Sequence, residues 1–295
     1  MSVAAEVLVL FILVLAGMLA RFLGYLSDEV IHGLTDLVLS ISLPCLLLYN
    51  MQRPFSPEVL GGFVLALVFS AASMLLSLGV SHLLFGKKPQ GRRALLNICM
   101  MFTNCGFVGY PIILSIQPDW MIYAVAYNIA SNLLFWSVGV WLFEKRHASP
   151  LSVLRCPALL AALTGFALFC LRFTWPAFLY RSLGLLGGLT TPLSMLLIGA
   201  RVYGLPLRTL REGDYAALAA LRLLGLPLLV YLLLRPIPAP SGVRETVALL
   251  TGMPIGSTVL MLCERDGGDV AFASSAIALT TLLCLLTIPM LALPL

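Results

Sequence analysis

The chain has 295 residues, 60% of them hydrophobic and only 11% charged, with a net charge of +5 and a mean hydropathy of +1.02. So little charge cannot clothe a water-facing surface of this size, which excludes a soluble globular domain and makes the lipid bilayer the solvent. The basic excess forms no stripe interleaved with aromatics, so nucleic acid is not an expected partner.

Crossing the hydrocarbon layer takes about 20 apolar residues per helix, and ten such stretches fit the chain. The first, 3–22, carries Glu6 and no further ionisable group before Arg21. No basic residue precedes it, the reverse of a removable signal, so it reads as a span. The second, 30–51, holds Asp36 towards its cytoplasmic end and Ser40, Ser42 and Pro44 further on. The third is 57–85. The fourth, 92–117, contains Asn104-Cys-Gly106-Phe-Val-Gly109-Tyr-Pro111. The fifth, 119–143, carries Asn128 and Asn132, four apart and therefore on one face. The sixth is 157–173, and the seventh, 179–203, holds Thr190, Thr191, Pro192 and Ser194. The eighth, 213–234, is apolar around Arg222, and the ninth, 243–263, contains Gly252-Met-Pro254-Ile-Gly256-Ser257. The tenth is 269–293. The expected fold class is therefore an all-α integral membrane protein of ten transmembrane helices. The seven Cys form no CxxC pair and mostly lie inside apolar runs, as small packing residues do.

Lys and Arg set the orientation. One set of alternate loops holds Arg21, Lys87, Lys88, Arg92, Arg93, Lys145, Arg146, Arg155, Arg201, Arg208, Arg211 and Arg265. The other holds only Arg53, Arg172, Arg181, Arg235 and Arg244. The richer set should be cytoplasmic, which gives a multi-pass protein of the cell (inner) membrane with both termini outside. The even span count agrees.

Pro44 and Pro192 sit in the second and seventh spans, and Pro111 and Pro254 in the fourth and ninth, in matching order and about half the chain apart. Five spans per half is odd, so residues 1–148 and 149–295 should form two inverted repeats, as in secondary transporters. Proline and glycine together should unwind the fourth and ninth helices near mid-membrane. Broken backbone is tolerable there only against protein or a wet cavity, and half-helix N-termini suit an anion.

Asn104 is the foremost polar candidate, since an amide can hold a carboxylate without burying a charge, although such side chains also tie helices together. Gly106, Gly109, Pro111, Gly252, Pro254, Gly256 and Ser257 complete the breaks, and Asn128, Asn132 and Thr191 are further candidates. Arg222 is either functional or long enough to snorkel to the boundary. No acidic residue lies clearly at mid-membrane, which leaves Asp36 as the remaining carrier of proton or sodium coupling. No metal pair, nucleotide loop or hydrolase motif occurs, so neither a cofactor nor an enzyme activity is expected.

Taken in order, these motifs resemble the auxin efflux carrier family, whose bacterial members are called malate permease-like. The resemblance is carried by Leu26-Ser-Asp-Glu29, Ser42-Leu-Pro44, Asn104 through Pro111, Thr191 through Ala200, Met253-Pro254, and Glu264 through Asp269 leading to Pro289. It implies a fold similar to the bile-acid-symporter type, with helices four and nine crossing at their breaks. It also implies a scaffold of helices 1, 2, 6 and 7, through which relatives form a homodimer, and a moving part of helices 3–5 and 8–10. Asn104, Pro111 and Pro254 then match the family's crossover residues, and the cargo is a small organic anion such as a mono- or dicarboxylate. The short 144–157 loop departs from the long central loop of plant members. A channel, or a receptor or scaffold using the same anion site without coupled transport, is the alternative.

Overall fold

A computed structural model describes residues 3–144, 156–203 and 213–292, which are helical almost throughout. Lys145, Arg146, Arg155, Arg208 and Arg211, part of the expected cytoplasmic charge, lie outside the described residues, as does residue 293 of the tenth predicted span. The helices are α1 (Val3–Phe22), α2 (Asp28–Met51), α3 (Pro57–Phe85), α4 (Gln90–Met101), α5 (Cys105–Ile116), α6 (Pro118–Leu142), α7 (Pro157–Cys170), α8 (Ala177–Val202), α9 (Gly213–Leu234), α10 (Val243–Thr251), α11 (Ser257–Asp266) and α12 (Val270–Ala292). Five of them, α2, α3, α6, α8 and α9, are long and apolar enough to cross a membrane by length and composition, and shorter apolar helices accompany them. The expected fourth and ninth spans are each split into two helices.

Proline shapes the long helices. It lacks an N–H and its ring crowds the carbonyl four residues back, so the turn ahead of it widens. Wide π turns at Val38–Ser42, Cys105–Gly109 and Leu221–Gly225 each end two residues before Pro44, Pro111 and Pro227. In each, the N–H just before the proline reaches back five residues: Leu43 to Val38, Tyr110 to Cys105, and Leu226 to Leu221.

Large apolar side chains face outwards, among them Leu8, Ile12 and Leu19 on α1, Val68 on α3, Leu232 on α9 and Met290 on α12. Polar ones turn inwards: Ser70, Ser73, Ser77 and Ser81 form a buried stripe on α3. That inversion is what a lipid solvent requires of a helix bundle. The tightest contacts pair α1 with α8 and α2 with α7 and α8, while α3 packs on α4, α6 and α10. Close approach of α1 and α8 depends on small residues, because a Cβ on Gly17 would strike the Leu196 carbonyl and one on Gly199 the Val14 carbonyl.

Contacts between connections sort them into two ends. At one end Arg53 pairs with Asp119 at 2.9 Å, and Gln52 Oε1 accepts the Trp175 N–H at 3.1 Å. At the other, Lys88 and Arg92 meet Asp214 at 2.8 and 3.3 Å, and Arg92 meets Asp269 at 3.2 Å. Arg201 Nη2 donates to Thr35 Oγ1 at 2.9 Å, and Arg21 pairs with Asp28 at 2.6 Å.

Candidate functional site

Two chain breaks meet inside the bundle. At 1.5 Å per residue, α4 and α5 are each roughly 18 Å long, and α10 and α11 roughly 14–15 Å. No half is long enough to cross a layer of about 30 Å alone. Between the halves the backbone is extended, with Phe102 at φ −104°, ψ 122° and Gly256 at φ −68°, ψ 138°. The extended segments pair antiparallel with Thr103 opposite Ile255. The Asn104 N–H donates to the Pro254 carbonyl at 2.8 Å, and the Gly256 N–H donates to the Phe102 carbonyl at 3.0 Å. From α12, Thr280 Oγ1 accepts the Ile255 N–H at 3.2 Å. Peptide groups released from the helices are thus returned to partners, as a site remote from bulk water demands.

Four helix ends surround this short ladder, and they differ in access. At the start of α5, Asn104 Oδ1 accepts the Phe107 N–H at 3.1 Å, the ordinary geometry of an N-cap. Its Nδ2 has no partner among the described residues, and both Asn104 and Gly106 are half-buried. At the start of α11, Gly256 supplies no side-chain cap, Ser257 is half-buried and Thr258 is exposed. The positive ends of two helix dipoles are therefore partly exposed. The opposite ends are sealed: Met100, Met101, Thr251 and Met253 are all at most 1% exposed.

Arg222 closes those sealed ends. Its Nε donates to the Met253 carbonyl at 3.2 Å and its Nη1 donates to the Met100 carbonyl. Its Nη2 has no partner among the described residues. The side chain is 0% exposed, so it does not snorkel to the boundary, the other course open to it in the sequence. Around the crossing, Thr103 Oγ1 lies 3.4 Å from the Tyr127 hydroxyl, and Thr251 Oγ1 donates to the Val247 carbonyl at 2.7 Å.

The remaining candidates divide. Asn132 Nδ2 donates to Asn128 Oδ1 at 3.0 Å and to its carbonyl at 2.9 Å, while Asn128 Nδ2 donates to Cys105 Sγ at 3.3 Å. Those asparagines thus brace the first residue of α5. Gly109 and Gly252 are packing positions, since a Cβ would stand 2.5 Å from Leu250 Cδ2 and 2.7 Å from Leu291 Cδ1 respectively. Gly256 lets the breaks touch, with a Cβ there 3.0 Å from the Thr103 carbonyl. Pro111, buried, follows the π turn of α5. Neither Thr191 nor Asp36 is brought to the crossing by a hydrogen bond. Thr191 is half-buried on α8, whereas its neighbour Thr190 shares a 2.7 Å hydrogen bond with Ser42. Asp36 is exposed and pairs with His32 at 3.2 Å.

Sequence reasoning missed Thr280, Tyr127 and Thr103. A hydroxyl in an apolar helix carries no mark that separates a backbone partner from a packing residue. Beside α5, a small apolar cleft of about 20 Å³ lies between α1, α8 and α12, lined by Val14, Val108, Ile112, Met195, Thr281 and Ile288. No cluster of three metal-ligating side chains occurs among the described residues.

A family model described as membrane transport protein matches residues 2–153 and 148–292. An uncharacterized transporter of Methanothermobacter thermautotrophicus is 26% identical over 303 residues, covering 98% of this chain and 97% of its own. A second uncharacterized transporter, from Methanocaldococcus jannaschii, is 26% identical over 298 residues, covering 96% of this chain and 95% of its own.

Proposed function

Because the chain belongs to the membrane transport protein family, the one its auxin-efflux-carrier motifs resemble, we propose that it is a secondary carrier moving a small organic anion, a mono- or dicarboxylate, by alternating access. The observation that carries this reading is the asymmetry of the crossing. Two helix N-termini and the Asn104 Nδ2 keep some exposure, while the C-terminal ends are buried against a cation. Backbone N–H groups at a helix start, with the dipole behind them, favour a carboxylate without a full opposing charge.

We read the chain as ten spans in two inverted halves, 1–148 and 149–295. Supporting this are the sorting of the connections into two ends and the pairing of Ser42 with Thr190 beside the matched prolines. In this reading α1, α2, α7 and α8 are the scaffold, able to form a homodimer, and the other helices carry the site across. The end holding Lys88 and Arg92 is cytoplasmic, in the cell membrane, and both termini are outside. Uptake of labelled mono- and dicarboxylates into proteoliposomes tests the function. Saturable flux that depends on Asn104 is expected. Non-saturating conductance would mean a channel, and binding without flux a receptor.

A further inference from the structure

The last carbonyls of a helix have no N–H to accept, and they carry the negative end of its dipole. Where helices break inside a membrane, such ends and the unwound carbonyls beside them are what hold a coupling Na⁺ or H⁺. In this protein both ends are already bridged by one side chain. The guanidinium of Arg222, on α9, donates to the Met100 carbonyl in the last turn of α4 and to the Met253 carbonyl just beyond α10. Among the Asp and Glu side chains that the structure describes, a set that leaves out Glu6 and Asp266 among others, none is buried. Asp28, Asp119, Asp214 and Asp269 form ion pairs with partners of their own, and Asp36 lies against His32, all of them away from Arg222. An apolar side chain would fill this space without stripping a cation of water, so packing alone does not account for an arginine.

We propose that Arg222 is a resident cation standing where broken-helix carriers hold a coupling ion, so that the crossing is closed and charge-balanced without Na⁺ and transport draws on no Na⁺ gradient. The transport half of this proposal rests on the carrier reading. The binding half concerns only the folded protein, and the test separates them.

Thermal unfolding of purified wild type, Arg222→Met and Arg222→Lys is measured in NaCl, KCl and choline chloride at equal ionic strength. Carboxylate uptake by the same proteins in proteoliposomes is measured with and without Na⁺. Wild type is expected to unfold at one temperature in all three salts and to transport equally in each. Arg222→Met, similar in length but uncharged, should unfold roughly 5–15 °C lower for the loss of two charge-assisted hydrogen bonds. It should also recover part of that loss when Na⁺ replaces choline. Arg222→Lys, which keeps the charge, should fall between the two. A wild type stabilised by Na⁺, or uptake that requires Na⁺, overturns the proposal, and so does an Arg222→Met protein as stable as wild type. Should Arg222→Met fail to fold, the salt response of the wild type and the intermediate stability of Arg222→Lys still decide. Absence of carboxylate flux in every salt refutes the carrier reading, while the unfolding temperatures still rule on Arg222.

Discussion

In the proposed function Asn104 does two jobs in the crossing, and a single substitution can separate them. Its Oδ1 caps α5 through the Phe107 N–H at 3.1 Å, and its Nδ2, without a partner among the described residues, is the group proposed to meet cargo. Asn104→Asp keeps an acceptor at the cap and places a negative charge at a helix N-terminus, a gain of about 0.3–1 kcal/mol. The same carboxylate, about 4 Å from the charge of a bound anion, costs about 4 kcal/mol at an effective dielectric near 20, or roughly a thousandfold in affinity. Asn104→Ala instead loses the cap, about 1 kcal/mol, and leaves the buried Phe107 N–H without its partner. Thermal unfolding in detergent should therefore rank Asp at or above wild type, with Ala below. Uptake at subsaturating carboxylate should rank wild type first, then Ala, with Asp last. A stable Asn104→Asp protein that transports carboxylates at the wild-type rate would refute an anion site at this end of α5.

Thr280→Val removes the acceptor for the Ile255 N–H, and an unpaired buried N–H costs about 1–3 kcal/mol, read as a lower unfolding temperature. Gly109→Leu drives a side chain into Leu250, whose Cδ2 would stand 2.5 Å from the new Cβ; overpacking of about 1–3 kcal/mol and a loss of uptake should follow. Cysteines placed at Lys88 and Gln117 should react with an impermeant thiol reagent from opposite sides of the membrane; labelling of both from one side would break the assigned topology.

Much of the fold was legible because the bilayer simplifies the code. Apolar length bounds a helix, and the 3–22 and 57–85 spans coincide with α1 and α3 to the residue. The breaks were legible too, since Asn104 through Pro111 and Gly252 through Gly256 gather residues that cannot sustain regular hydrogen bonding. Their partners were not. Thr280 and Tyr127 look like any hydroxyl in an apolar helix, and Asn128 and Asn132 left open whether they line a cavity or brace a neighbour. Only the neighbour's position shows that Asn128 reaches Cys105 at the start of α5.

Composition and proline spacing by themselves determined a helical membrane protein whose chain is interrupted in two matched places, because hydropathy and backbone chemistry are local properties. The tertiary structure decided what those interruptions face. Thr103 opposite Ile255, and Arg222 between Met100 and Met253, join segments far apart in the chain. Whether a buried arginine strays to the surface or ties down two carbonyls depends on where those carbonyls lie, and distance in space is written only in the packed fold.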